Sequence, residues 1–201
     1  VLKSSDAEAF TIGDLVVYTV EIPVLEGLTA GGVFIDELPE GQAFELTGAT
    51  ILDSLSAVDG DGAALTILDA RVEDAGGRDR LVIEFDDIRT AGDNVAANDF
   101  IAVEFTARIL NVDANRNGDA PENTAAFTQA TTDAAAPTLT REGSDEISIV
   151  EPVLETLKSS DAGQDLDAGD LLTYEVEVRP AGASAAAAFD LAFEDAIPAE
   201  L

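Results

Sequence analysis

The chain has 201 residues, and its 41 Asp and Glu against 10 Lys and Arg give a formal net charge of −31. This charge excludes nucleic acid as a partner, because binding a phosphate backbone requires a basic face, and it disfavours docking to an anionic membrane surface. Since the sequence has neither His nor Cys, disulfides and the usual zinc, haem, iron–sulfur, thiol and Ser-His-Asp chemistries are excluded as well.

The chain is predicted to consist of short β-strands separated by turns. In chain order, the strands are expected at Leu15–Ile22, Val33–Leu38, Phe44–Leu52, Ala64–Leu68, Arg80–Phe85, Phe100–Leu110, Thr124–Thr131 and Glu146–Val150. Turn signals such as Asp59-Gly60-Asp61-Gly62 and Asn117-Gly118 lie between them. Many short strands at this spacing, with no convincing helical stretch, indicate an all-β fold, an antiparallel immunoglobulin-like β-sandwich.

An internal repeat divides the chain. LKSSD at 2–6 recurs at 157–161, GDLVVYTVEI at 13–22 aligns with GDLLTYEVEV at 169–178, and FIDELPEG at 34–41 aligns with FEDAIPAE at 193–200. One repeat is therefore about 155 residues long. We expect residues 1–151 to form a first, nearly complete module and residues 152–201 to form the opening strands of a second. Because the sequence has no Met, we also expect it to be a segment of a longer protein with tandem repeats.

The two lysines occupy equivalent positions in the repeat. Lys3 aligns with Lys158, while every other basic residue of the chain is Arg. Arg stays protonated in proteins, whereas a buried Lys can lose its proton and become a nucleophile. Two simpler interpretations remain open at this point. The Lys3 amine could lie in solvent at a strand edge, or it could form an ordinary ion pair with Asp36.

Five motifs carry a resemblance to a known family. They are the Lys-containing first strand, the Gly-Asp-x-x-x-Tyr strand, the Asp-x-Leu-Pro strand end, the RILNVDANRNGD segment and the Asn-Thr-Ala that follows it. With them the chain resembles the bacterial surface-protein repeat called domain of unknown function eleven, which overlaps the fimbrial isopeptide-forming domains. The resemblance implies that Lys3 is a nucleophile, Asn123 its electrophile and Asp36 a proton shuttle in an autocatalytic isopeptide bond. In the second repeat, Lys158 and Asp195 would hold the corresponding positions.

A candidate calcium loop follows the strand at 100–110. Asp113, Asn115 and Asn117 stand at alternate positions, followed by Gly118 and Asp119, and Glu122 offers a later carboxylate. Oxygen ligands in this pattern with a Gly at the sixth position are typical of a tight Ca²⁺ loop, although the flanking strands exclude an EF-hand. The alternative is a polar Asn/Gly turn between two strands.

These features favour a structural role over catalysis. We expect a repeat module of an extracellular or cell-surface bacterial stalk, fibre or adhesin shaft, whose partners are neighbouring repeats and identical chains in a filament. The alternative is an adhesive module that binds a glycan or protein through its loops, with the region 53–80 as the contact. An enzyme is not expected, since adjacent acids such as Asp86 and Asp87 point to opposite faces of a strand. No apolar run reaches the length of a membrane span.

Overall fold

A computed structural model describes residues 1–45, 51, 55–130, 138–161, 167, 169–182, 186, 188 and 191–196. The chain divides into two compact units, Val1–Val150 and Glu151–Leu201. Every element with defined bounds is a strand. The strands of the first unit are β1 (Leu2–Ser5), β2 (Ala9–Phe10), β3 (Leu15–Pro23), β4 (Leu28–Thr29), β5 (Gly32–Glu37), β6 (Gln42–Phe44), β7 (Ser56–Asp59), β8 (Ile67–Asp74), β9 (Asp79–Phe85), β10 (Ile88–Arg89), β11 (Phe100–Ile109), β12 (Glu122–Ala130), β13 (Thr138–Glu146) and β14 (Ser148–Ile149). Those of the second are β15 (Leu154–Ser160) and β16 (Tyr174–Pro180).

Two antiparallel sheets form the first unit. One has the order β1-β3-β11-β6, with β7 also paired to β11, and the other has the order β13-β12-β5-β9-β8. Two short pairs close the ends: β4 pairs with β10, and β2 pairs with β14 in the parallel sense. The predicted all-β antiparallel sandwich is confirmed.

The core lies between the two sheets because one face of each central strand is apolar. In β11, Ile101, Val103, Phe105, Ala107 and Ile109 are all buried, as their alternation predicts. The ring of Phe105 stands at the centre, with the centroids of Tyr18, Phe34 and Phe44 at 5.6, 6.3 and 5.5 Å. Such tilted and edge-on ring contacts add to the stabilisation from apolar burial.

Several strand bounds differ from the sequence prediction. The segment predicted at Ala64–Leu68 begins later, as Ile67–Asp74, and the strand predicted at Glu146–Val150 is shortened to Ser148–Ile149. β13 was not predicted, because its sequence TLTREGSDE has almost no apolar residues. Its backbone nevertheless pairs along its whole length with β12. Of the predicted strand Phe44–Leu52, residues 46–50 and 52 lie outside the described residues.

The region 53–80, which the adhesive alternative names as its contact, contains strands as well as turns. Within its described part, β7, the whole of β8 and the start of β9 account for just over half of the residues, and β8 pairs with β9 in the second sheet. A bulge between Ile67 and Asp69 shifts the register of that pair. Much of its backbone is therefore hydrogen-bonded within the sheets of the sandwich.

The described part of the second unit is built on one antiparallel pair, β15 with β16. The register places Lys158 opposite Val176 and Ser160 opposite Tyr174. In the first unit, Lys3 lies opposite Val20 and Ser5 opposite Tyr18. The two units thus pair their opening strands in the same register.

Candidate functional site

Lys3 reaches the core of the first unit from an edge strand. Its partner across the β1–β3 pair is Val20, which is fully buried, so the Lys3 side chain lies on the inner face of the sheet. Its Nζ donates a hydrogen bond to Oδ2 of Asp36, and both side chains are completely inaccessible to solvent. Nζ also lies 4.6 Å from the ring centroid of Tyr18 and 5.2 Å from that of Phe105. The interpretation with a solvated amine is therefore wrong.

Asp36 comes from the middle strand of the opposite sheet. It lies on β5 between Leu81 of β9 and Ala125 of β12, both of which are fully buried. Its Oδ2 accepts from Lys3, whereas its Oδ1 is buried without a hydrogen-bond partner. An acid in this apolar position is held by one partner only.

Asn123 completes the group of three. It stands two residues before Ala125 on the same face of β12, so it is a diagonal cross-strand neighbour of Asp36. It is fully buried, and neither its amide nitrogen nor its carbonyl oxygen has a well-aligned hydrogen-bond partner. Leaving such atoms unpaired costs about 1–3 kcal/mol each. The carboxamide is close enough to Asp36 and Tyr18 to influence the pKa of both.

Burial acts on the two charged groups in opposite directions. Desolvation raises the pKa of Asp36 to about 6, although the Lys3 amine and the Asn123 amide oppose this shift. Desolvation also lowers the pKa of Lys3, against the attraction of Asp36 and Asp145. Both shifts bring the ion pair closer in free energy to its neutral form, a free amine beside a protonated acid.

Tyr18 lies beside Lys3 and carries a neutral hydroxyl. Burial raises the pKa of Tyr18, so the phenol keeps its proton, and it donates a hydrogen bond of 3.0 Å to Oε1 of Gln42. The two tyrosines of the chain align in the repeat, and this is the signal that could have identified Tyr18 as part of the site. No sequence pattern identified Gln42 or Asp145.

A related arrangement occurs in the second unit. Lys158 donates to Asp195 at 2.6 and 2.9 Å, and its Nζ lies 4.4 Å from the ring centroid of Tyr174. Here the Lys and Asp side chains remain 38% and 30% exposed. Residues 151–201 contain no Asn, so this unit supplies no carboxamide of that kind to its lysine.

Four of the five residues of the predicted calcium loop have contacts of their own in the structure. Asn115 is buried and turned into the fold, where its Nδ2 donates to the carbonyl oxygens of Gly41 and Leu110 at 2.6 and 2.8 Å. Asp119 accepts from the backbone of Arg116, whose guanidinium lies 3.5 Å from exposed Asp113. Asn117 has an interaction of its own, and Glu122 is exposed at the start of β12.

Among the described residues, no three acidic side chains are arranged to hold a metal ion. The geometry of this segment fits a turn that Asn115 ties to the fold. Calcium binding stays a prediction from the sequence pattern.

Comparisons with known proteins find similarity at the level of solved structures only. No protein-family model matches the chain, and no curated protein matches it. The major pilin SpaA of Corynebacterium diphtheriae is 18% identical over 62% of this chain and 30% of its own, with a TM-score of 0.44. BcpA, the major pilin subunit of Bacillus cereus, is 11% identical over 78% of this chain and 42% of its own, at 0.47.

The N-terminal domain of the Streptococcus gordonii adhesin Sgo0707 is 12% identical over 74% of this chain and 32% of its own, also at 0.47. The chain spans about a third of the length of the first solved chains that it matches. These neighbours are pilins and adhesins, but similarity at this level assigns neither family nor function. Within the described residues, no helix has the length and apolar character needed to cross a membrane.

Proposed function

We propose that the chain is a structural module of an extracellular or cell-surface bacterial fibre, stalk or adhesin shaft, and that an intramolecular Lys3–Asn123 isopeptide bond stiffens it. One observation carries the proposal: a fully buried Lys–Asp pair lies beside a fully buried carboxamide whose two polar atoms lack partners. A core that served packing alone would gain nothing from these three residues, because each costs desolvation free energy.

The chemistry requires no external reagent. The neutral Nζ of Lys3 attacks Cγ of Asn123 while protonated Asp36 donates to the carbonyl oxygen, and the Nζ–Cγ bond forms. Asp36 then passes a proton from Nζ to Nδ2, the Cγ–Nδ2 bond breaks, and ammonia leaves. As the carbonyl of the new amide forms, its oxygen returns the first proton to Asp36, which ends protonated, as it began. The reaction removes the unpaired Nδ2 from the core.

The position of the bond supports a mechanical role. It would join β1, at the edge of one sheet, to β12 in the other sheet. A cross-link that closes a loop of about 120 residues stabilises by about 5 kcal/mol in the chain-entropy model. Tension entering at β1 would then pass to β12 through a covalent bond instead of through the β1–β3 hydrogen bonds. In this proposal the partners are neighbouring repeats and identical chains in a filament.

Intact-mass spectrometry of the purified chain tests the proposal. We expect the wild-type protein to be lighter than its sequence mass by one ammonia, about 17 Da. Lys3→Met and Asn123→Ala should both restore the full mass, because each removes one bonding partner. Lys158→Met is the matched control, since it changes the equivalent lysine in a unit without Asn, and it should keep the mass loss. A folded wild-type chain at full sequence mass would refute the proposal.

A further inference from the structure

Asp145 of β13 faces the same buried site. The β12–β13 register places it directly opposite Asn123, and side chains in this position share a face with Cβ atoms about 4.5–5.5 Å apart. Along β13, Arg141, Gly143 and Asp145 are the less exposed residues, alternating with exposed ones. A Cβ at Gly143 would meet Val1, the residue before β1, and β1 itself packs beside β13. Asp145 therefore stands between Asn123 and the strand that carries Lys3.

The polar atoms of Asp145 and Asn123 are complementary. Oδ2 of Asp145 is buried without a hydrogen-bond partner, and so is Nδ2 of Asn123. One is an acceptor and the other a donor, and they belong to residues directly opposite each other.

Asp145 also borders solvent. A cleft of about 590 Å³ opens beside it, between the β1–β2 connection and the end of β13. Its charged lining residues are all acidic: Asp6, Glu8, Asp145 and Glu146. Ammonia takes a proton from water to become ammonium, and the acidic side chains that line the cleft attract this cation.

We infer that Asp145 is a positioning residue of the isopeptide site, whose carboxylate accepts a hydrogen bond from Nδ2 of Asn123 and directs the departing ammonia into the acidic cleft. This inference rests on the proposed Lys3–Asn123 bond. Anchoring Nδ2 at Asp145 fixes the rotation of the carboxamide, so that its Oδ1 points to the acid of Asp36 and its Cγ faces Nζ. The leaving nitrogen is then already at the cleft when the Cγ–Nδ2 bond breaks.

The test follows bond formation in the 201-residue chain after refolding. The chain is isolated in the unfolded state, and its full sequence mass is verified. It is then diluted from denaturant, and samples that are quenched at successive times are analysed by intact-mass spectrometry. Relative to wild type, we expect bond formation to be about 100-fold slower in Asp145→Leu and about tenfold slower in Asp145→Asn. Asp145→Glu should restore the rate to within a few-fold. Glu142→Gln changes an exposed acid of the same strand that does not line the cleft, so it is the matched control and should not change the rate.

A second measurement separates positioning from folding. Circular dichroism establishes the folded fraction of each variant. If Asp145→Leu does not fold, the rate of the isosteric variant Asp145→Asn is used for the comparison with wild type. The titratable groups facing Lys3 and Asn123 are Asp36, Tyr18 and Asp145, with Asp6, Glu8 and Glu146 around the cleft. The charge of Asp145 helps to keep Lys3 protonated. When the rate of bond formation is measured against pH, its decline at high pH should therefore begin at a lower pH in Asp145→Asn than in wild type.

Two results overturn the inference, and they differ from failure of the proposed function. If wild type loses ammonia while folded Asp145→Asn reacts at the wild-type rate, Asp145 has no part in the reaction. If Asp145→Glu is as slow as Asp145→Leu, the carboxylate is not what matters. A wild-type chain that never loses mass refutes the isopeptide bond itself, and the role of Asp145 with it.

Discussion

At the scale of single residues, Lys3 differs from the arginines of the first unit in its burial. Most arginines of the first unit pair with acids at the surface, as Arg71 does with Asp69, Glu73 and Glu84 at 2.5, 2.7 and 2.9 Å. Lys3 alone carries an amine into the core, where Asp36 is its counter-ion. This division has a chemical reason, since an amine can give up its proton on burial and a guanidinium cannot.

The Lys3–Asp36 pair contains its own reactive form. Moving one proton from Nζ to Oδ2 converts the ion pair into a free amine and a carboxylic acid without exchange with solvent. The total number of bound protons does not change, so the pair titrates as a unit. Burial favours the neutral form, because both charges lose their hydration.

The raised pKa of Asp36 predicts a pH dependence of stability in a chain without the cross-link. Its pKa is about 6 when folded against a usual value of 3.8. Between about pH 4 and 6 the unfolded chain releases this proton while the folded chain retains it. The free energy of unfolding of Asn123→Ala should therefore lose a contribution as pH rises through this window. Denaturant unfolding from pH 4 to 7 measures it, with Asn123→Ala/Asp36→Asn as the control. Parallel curves for the two proteins would contradict the assignment.

At the scale of elements, the site depends on three strands that are distant in sequence. β1, β5 and β12 each place one residue of the site on an inner face, at Lys3, Asp36 and Asn123. Because side chains alternate with a period of two, a shift of one residue in any pairing would turn that residue outward. Register is therefore the structural variable on which the chemistry depends.

One turn of the first unit has no space for a side chain. A Cβ at Gly60, which follows β7, would collide with the backbone carbonyl of Asn98, just before β11. Gly60→Ala should therefore destabilise the first unit by about 1–3 kcal/mol, as overpacking does. Gly92→Ala is the matched control, because Gly92 has open space and no positive φ. Urea denaturation of both variants checks this, and equal midpoints would show that the backbone adapts.

At the scale of the whole molecule, the two units differ in how much apolar surface they bury. The first has a continuous core between two sheets. In the second, large apolar side chains stay exposed, including Leu157, Leu171, Val178 and Phe193. An isolated pair of strands is only marginally stable in water. The net charge of −31 adds mutual repulsion throughout.

This contrast predicts different rates of amide exchange within one chain. Amides in β15 and β16 should exchange faster, by at least about 100-fold, than those in the central strands β3 and β11, since opening a two-stranded sheet exposes little apolar surface. Hydrogen–deuterium exchange with mass spectrometry on the 201-residue chain measures both sets together. The edge strand β8 is the internal control, with an expected intermediate rate. Equal protection of β15 and β3 would contradict the prediction.

The sequence by itself determined the all-β class, the internal repeat and the equivalent positions of Lys3 and Lys158 in that repeat. These follow from local alternation and from identity between segments. Family resemblance named Asp36 and Asn123. The sequence did not predict β13, whose polar residues give no strand signal, and for that reason it missed Asp145 as well.

Only the tertiary structure decided that the Lys3 amine is buried, that Asn123 is left without partners, and that Asn115 donates to the backbone of Gly41. The physical reason is that burial and hydrogen-bond satisfaction are set by the strands that close over a residue. Those strands come from distant parts of the chain, so the sequence next to a residue does not reveal them.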